Sequence, residues 1–212
     1  MLHNPIIING IINATSSNLT CIIEEFKANP EFIEFFMYKT PIAIASSFGA
    51  SKVVKEMLSD GSCPDGKLEL AQDTFDNFLM REQTPLSIAS EHGYIHIVKM
   101  LIDAGANPSL ADRSYYSPII YAAEKGHFDI VKLLIDAGAW LGGMMDDGHT
   151  ALSKAVSNGH KEIVFALLKA GGNNLTTRID CYDDVGETIL SIAFRNFDEE
   201  IIESLLKHGA EF

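Results

Sequence analysis

The chain has 212 residues, 47% hydrophobic and 21% charged, with a formal net charge of −13. That is an ordinary folded composition, with enough chain for one or two domains and a sizeable core. The negative balance argues against nucleic acid and anionic membranes as partners, and no run approaches the roughly 20 apolar residues of a membrane helix.

The chain opens on an apolar stretch, Pro5-Ile6-Ile7-Ile8 and Ile11-Ile12, interrupted by Asn9-Gly10 and preceded by no positive leader. A signal peptide is therefore not expected. Cys21, Cys63 and Cys181 are odd in number and far apart. They predict a reducing compartment rather than a disulfide framework. In that setting the Asn-x-Thr triplets at Asn13, Asn18 and Asn174 read as chance.

From residue 40 a pattern recurs. Thr40-Pro41-Ile42-Ala43-Ile44-Ala45 returns as Thr84-Pro85-Leu86-Ser87-Ile88-Ala89, Ser117-Pro118-Ile119-Ile120-Tyr121-Ala122, Thr150-Ala151-Leu152-Ser153-Lys154-Ala155 and Thr188-Ile189-Leu190-Ser191-Ile192-Ala193. A glycine follows at Gly49, Gly93, Gly126 and Gly159, with Phe197 at that place in the last copy. Next come apolar stretches such as Ile97-Val98 with Leu101, then a late glycine at Gly61, Gly105, Gly138, Gly171 and Gly209. The starts at 84, 117 and 150 are 33 residues apart. Thr40 to Thr84 is longer, which places an insertion at 62–83, with a short helix expected over Leu68–Leu79. The connector before Thr188 carries five extra residues. A worn copy lies over Asn9 to Pro30, within a degenerate capping segment 1–39 that precedes an array over 40–212.

Each recurring residue has a physical task. Thr before Pro starts a helix, because the hydroxyl caps free N–H groups and Pro suits the first turn. The Ala lets a neighbouring copy approach closely. The middle glycine permits a tight turn between two short helices, and the late glycine is placed to end the second helix in a left-handed conformation in all five copies. Periodicity places Leu133 between the helices of its copy. Phe194, where other copies have Ser90, Ala123 and Val156, is placed to lid the open face of the last copy.

The pattern resembles the ankyrin repeat: Thr-Pro-Leu-His-x-Ala, Gly-His, Ile-Val-x-x-Leu-Leu, Gly-Ala. Gly126-His127 and Gly159-His160 carry the Gly-His pair, and Gly105-Ala106, Gly138-Ala139 and Gly209-Ala210 the last pair. Ser87, Ser153 and Ser191 stand where the motif has His. The resemblance is strong over 40–212 and weak over 9–39. It implies an all-α solenoid of helix–turn–helix repeats with short β-hairpin fingers, whose first helices line a concave palm. Members of this family commonly bind proteins through finger tips and palm.

Catalytic and metal signatures are weak. Gly61-Ser62-Cys63-Pro64-Asp65-Gly66-Lys67-Leu68 nearly matches a phosphate-binding loop but has Leu68 in place of the Mg²⁺-binding hydroxyl and follows a helix rather than a strand. His92 and His96 have the spacing of metal ligands on one helix, yet Gly93 between them puts them on different elements. His127 and His160 are expected to hydrogen-bond within their own turns. Asp146-Asp147 and Asp183-Asp184 lack calcium-loop spacing and read as solvated turns. No enzyme, cofactor or metal site is expected.

What remains is surface. The resemblance puts Met80, Arg81 and Gln83, then Arg113, Ser114 and Tyr116, then Asp146, Asp147 and His149, then Asp184, Val185 and Glu187 on successive fingers. It puts Ser47 and Phe48, Glu91 and His92, Glu124 and Lys125, Ser157 and Asn158, and Arg195 and Asn196 on the palm. Tyr115 replaces the finger glycine, which puts that turn's geometry in question. Trp140, the single tryptophan, and Met144-Met145 follow Gly138-Ala139. Aromatics, Arg and Met are enriched in interfaces. The expected binding surface is Met80, Arg81, His92, Arg113, Tyr115, Tyr116, Lys125, Trp140, Met144, Met145, Asp146, Asp147 and His149. The expected function is a non-catalytic protein-binding scaffold in the cytoplasm, its partner another protein with a basic surface. The abundance of Ile and Asn suggests an AT-rich genome and an effector that an intracellular microbe delivers to host cytoplasm. The other reading is a regulatory or targeting domain of a longer enzyme or effector.

Overall fold

A computed structural model describes residues 10–27, 40–66, 83–171 and 186–210. Met80, Arg81, the 68–79 segment, Cys181, Asp183, Asp184 and Val185 lie outside the described residues. The helices are α1 (Ser16–Lys27), α2 (Pro41–Ser47), α3 (Ser51–Ser59), α4 (Pro85–Glu91), α5 (Ile95–Asp103), α6 (Pro118–Lys125), α7 (Phe128–Asp136), α8 (Ala151–Ser157), α9 (Lys161–Gly171), α10 (Ile189–Arg195) and α11 (Glu199–Lys207). They fall into two compact units, Met1–Asn107 and Pro108–Phe212.

Every first helix starts at a Thr or Ser in extended backbone, and Pro41, Pro85 and Pro118 occupy the first turn where a missing N–H costs nothing. The hydroxyl cap forms in three copies: Thr84, Thr150 and Thr188 accept from the N–H of Ser87, Ser153 and Ser191 at 3.0, 3.2 and 3.1 Å. In the same copies the Ser hydroxyl turns back on the cap. Thr84 and Ser87 hydroxyls lie 3.0 Å apart, Thr188 and Ser191 likewise, and Ser153 accepts from Thr150 N–H at 2.8 Å. Thr40 and Ser117, followed three places on by Ala43 and Ile120, make no side-chain cap bond. The serine that replaces the motif's His thus holds the capping hydroxyl in place.

The first helices end alike. In each copy the N–H just past the middle turn donates to the recurrent Ala: Ala50 to Ala45 at 3.0 Å, Tyr94 to Ala89, His127 to Ala122 and His160 to Ala155 at 2.9 Å, Asp198 to Ala193 at 3.4 Å. That bond spans a left-handed residue, which Phe197 supplies with φ 54° in the last copy. Second helices close the same way at Gly61, Gly105, Gly138 and Gly209. Gly171 departs from expectation: it stays inside α9, at the copy whose connector carries five extra residues, and takes no left-handed turn.

In the first unit α2 packs on α4 and α3 on α5, with α1 against α2 and α3. In the second, α8 sits between α6 and α10, and α9 between α7 and α11. The buried stripe of α7 is Ile130, Val131 and Leu134, and that of α9 is Ile163, Val164, Leu167 and Leu168. Leu133, expected inside, is half-buried; its neighbour Leu134 is the one with no exposure. Helices of seven to eleven residues are marginal alone. Their stability comes from these stripes meeting across copies. The β-hairpin fingers reduce, among the described residues, to one antiparallel bridge between Met144 and Thr150.

The register is checked by comparing the two leucines. Leu134→Ala is expected to cost about 2–5 kcal/mol, as full burial and a cavity require. Leu133→Ala, half-exposed, is expected to cost about 1 kcal/mol. Equal midpoints for the two variants in a urea titration would show the stripe to be misassigned.

Candidate partner-binding surface

The second unit carries most of the expected surface. Its first finger is organised by Asp112, a residue the sequence reading passed over. Asp112 Oδ1 accepts from the N–H groups of Ser114 and Tyr116, both at 3.0 Å, and Oδ2 accepts from the Tyr121 hydroxyl at 2.6 Å. Backbone bonds from Asp112 N–H to Tyr116 and from Tyr115 N–H to Asp112, both 3.1 Å, close the turn. Asp112 could have been found as an Asx-type residue opening a tight turn.

Within that turn Tyr115 has φ 61° and its side chain is 53% exposed. The equivalent places in the next two fingers are Gly148 and Gly186, at φ 80° and 81°. Tyr115 therefore does not alter the turn; it takes the glycine conformation, at a steric cost of about 1–2 kcal/mol. Tyr116 points the other way. Its ring packs on Tyr121 at 4.8 Å between centroids, under Lys154 Nζ at 5.9 Å. Burial first, then the negative charges of Glu124, Asp147 and Asp112, push its hydroxyl up to about 12.

The next finger is closed by Met145 N–H to His149 at 2.9 Å and Gly148 N–H to Met145 at 3.1 Å, with Asp147 Oδ1 accepting from His149 N–H at 3.1 Å. Met145, expected on the binding surface, is buried under this finger with 4% exposure; Met144 beside it is exposed. The alternation of an extended segment sends one methionine in and its neighbour out. Trp140 is 57% exposed, and its backbone N–H donates to Ser109 Oγ at 2.9 Å. Arg113 and Asp146 are exposed, Asp147 and His149 half-buried. Lys125 is exposed and lies 3.5 Å from Glu124 Oε1. Tyr115, Tyr116, Arg113, Trp140, Met144 and Lys125 thus stand on or near the surface of one unit, which also carries a concavity of about 470 Å³ lined by Glu124, His149, Lys154, Ser157, Asn158 and Arg195 among others.

His92 belongs to the first unit. It caps α4, its Nδ1 meets the Ile88 carbonyl at 2.9 Å, and its ring stacks on Tyr94 at 5.7 Å; His96 lies on α5. His160 does not bond within its own turn as expected. Its Nε2 meets the Glu124 carbonyl of the preceding copy at 3.1 Å. The loop at 61–66 follows helix α3, and Asp65 accepts from Asn107 N–H at 2.8 Å. Among the described residues no cluster of His, Cys, Asp and Glu could hold a metal, and no helix is long and apolar enough to cross a membrane.

The family model for ankyrin repeats in three copies matches residues 11–112, 42–145, 86–179 and 119–212, which together run from the worn first copy to the last residue. The chain belongs to the ankyrin-repeat family, whose repeats are in general protein–protein interaction modules and typically non-catalytic. Comparison with the curated proteins gives no match.

Two measurements probe this geometry. Tyr115→Gly relieves the left-handed strain and is expected to stabilise the fold by up to about 1 kcal/mol, the chain-entropy cost of glycine being subtracted; Tyr115→Ala, which keeps a Cβ, gains less. A lower midpoint for Tyr115→Gly in chemical denaturation would show the side chain to be structural. Spectrophotometric alkaline titration should find one tyrosine that ionises near pH 12, absent in Tyr116→Phe. Since folding raises this pKa, its contribution to stability is complete below about pH 10 and fades as the pH climbs through 12.

Proposed function

We propose that this chain is a non-catalytic scaffold that binds another protein through the second unit, with Tyr115, Trp140 and Met144 as apolar anchors and Arg113 and Lys125 at their margin. The observation that carries the reading is Tyr115: a bulky aromatic kept half-exposed in a conformation that the two equivalent turns give to glycine. Strain that the fold does not require is retained where something else selects it. Tyr and Trp bury large areas at little entropic cost, and Met adapts to irregular surfaces.

The net charge of −13 favours a partner with a basic surface and salt-sensitive association. It disfavours nucleic acid. The cytoplasm is the expected compartment, since three cysteines far apart in the sequence do not suit a disulfide framework. An origin as a microbial effector acting in host cytoplasm rests on composition alone.

With a partner captured from host lysate and purified, Tyr115→Ala and Trp140→Ala should each weaken binding by roughly 2 kcal/mol, about thirtyfold, in calorimetry. Raising salt from about 0.05 to 0.5 M should weaken it further as screening shortens. Unchanged affinity in both variants would rule out this surface.

A further inference from the structure

The last copy presents an apolar face that the inner copies of its unit cover. There α10 packs on α8 and α11 on α9. Val156 of α8 and Val164 and Leu168 of α9 are buried. Their counterparts six, fourteen and eighteen places after Thr188 are Phe194, Ile202 and Leu206. Phe194 and Leu206 are exposed and Ile202 is half-buried. Phe197 stands on the same side. A Cβ on its counterpart Gly126 would stand 2.7 Å from the His160 ring of the following copy, so the Phe197 side chain leaves the backbone toward the place a following copy takes. Phe197 is 89% exposed and holds φ 54°, a conformation that Gly126 and Gly159 adopt freely. Its own copy gives it neither cover nor an easy backbone, so something outside that copy must account for it. Beside the seam of Ile202 and Leu206 lie Glu203 and Lys207, exposed and one turn apart on one flank of α11.

We propose that this face binds the same face of a second copy of the chain, in a twofold dimer with α10 on α10 and α11 on α11, antiparallel. Two observations choose this occupant. The first is the cover the chain itself uses. The pair α10 and α11, of seven and nine residues, lies on the pair α8 and α9, of seven and eleven. A second copy brings another helix pair of matching length. The second is charge. In an antiparallel pairing the flank of α11 meets itself in reverse order, so Glu203 of each chain faces Lys207 of the other. Opposite charges meet twice at the contact, although each chain carries −13. Phe197 gains there the apolar surroundings its own copy does not give. The face is small, two helices about 10 and 14 Å long, against roughly 800 Å² per partner in a standard stable complex, so pairing is reversible. The inference does not rest on the finger surface. Joined to it, a dimer would carry two finger surfaces and bind a repeated partner with avidity.

Sedimentation velocity of the full chain tests this without an identified partner. It is run from about 5 to 500 µM in about 0.15 M salt, where a screening length of about 8 Å limits repulsion between the acidic bodies. The mass is expected to rise from one chain to two and stop there, since a twofold contact closes on itself, with Kd on the order of 10–100 µM. Phe197→Gly should raise Kd about tenfold or more while the thermal midpoint stays equal or climbs, because glycine suits the left-handed turn. Should that variant not fold, Leu206→Ser, at an exposed site, is expected to weaken the dimer in its place. Glu203→Lys and Lys207→Glu should each weaken self-association several-fold, and an equimolar mixture of the two should recover it, which a merely structural role for either residue would not produce. A single-chain mass at every concentration, growth beyond two chains, an unchanged Kd in Phe197→Gly, or no recovery in the mixture overturns the inference. The finger variants against a captured partner decide the protein-binding reading separately, and neither result bears on the other.

Discussion

The ring of His160 lies on the backbone of Gly126 and sets how one copy of the second unit meets the next. Gly126 has φ 81°, and a Cβ there would stand 2.7 Å from the imidazole. The ring then reaches the Glu124 carbonyl, one of the acceptors that the end of α6 leaves open. The first unit repeats the device with Tyr94 over Gly49, where a Cβ would come within 3.0 Å of the phenol ring. A pair of short helices cannot bury its own apolar stripe, so each copy depends on its neighbour's position. Ring on glycine fixes that position from the polar side while Ile, Val and Leu fix it from within. Gly126 is therefore under two constraints at once, one of backbone angle and one of space.

These constraints decide which residues are available for recognition. Capping Thr and Ser, the Ala whose carbonyl closes the first helix, the turn glycines and the apolar stripe are all spent on the fold. The finger tips and the outer ends of the first helices are not. Asp112 shows the boundary: its carboxylate is consumed in holding the turn, and the result is Tyr115 held outward and Tyr116 held inward over Tyr121. Glu124 lies on the same boundary, its backbone carbonyl engaged by His160 and its carboxylate hydrogen-bonded with the Tyr116 hydroxyl.

The repeat, its helices and its turns were legible because each depends on residues a few places apart: Thr with Ser three later, Ala with the N–H five beyond, Gly at the turn. What was not legible depends on contacts that sequence spacing does not encode. Leu133 and Leu134 are chemically identical neighbours, and only the direction of α9 packing on α7 tells which is inside. Met145 points inward because its finger is extended at that residue, whereas the interface argument weighed only residue type. His160 bonds across copies, a partner 36 residues away. Tyr115 looked like a broken turn by local rules; Asp112 supplies the hydrogen bonds that hold it in the glycine conformation. Of the candidate surface, the sequence indicated the fingers and named Glu124 on the palm, but nothing in it could show that the Glu124 carboxylate meets the Tyr116 hydroxyl.

The last copy follows from the same contact, seen where the contact changes. Its residue at the ring position is Asp198, which caps α11 by accepting from Ile201 N–H at 3.3 Å and lies 3.1 Å from Lys161 of the preceding copy. That hydrogen bond, the leading cause, holds the Lys161 ammonium above its usual pKa. An ion pair at the surface thus replaces ring-on-glycine contact, because a short carboxylate cannot cover Gly159 as imidazole covers Gly126. On the outward side, Phe197 takes the left-handed turn in place of glycine and is 89% exposed. Phe194 stands where Ser46, Ser90, Ala123 and Val156 are buried in earlier copies, and it is 42% exposed. The face that α10 and α11 present is thus built of the same framework as the inner copies, with an exposed Phe197 where they carry a turn glycine and Phe194 where they carry a smaller buried residue.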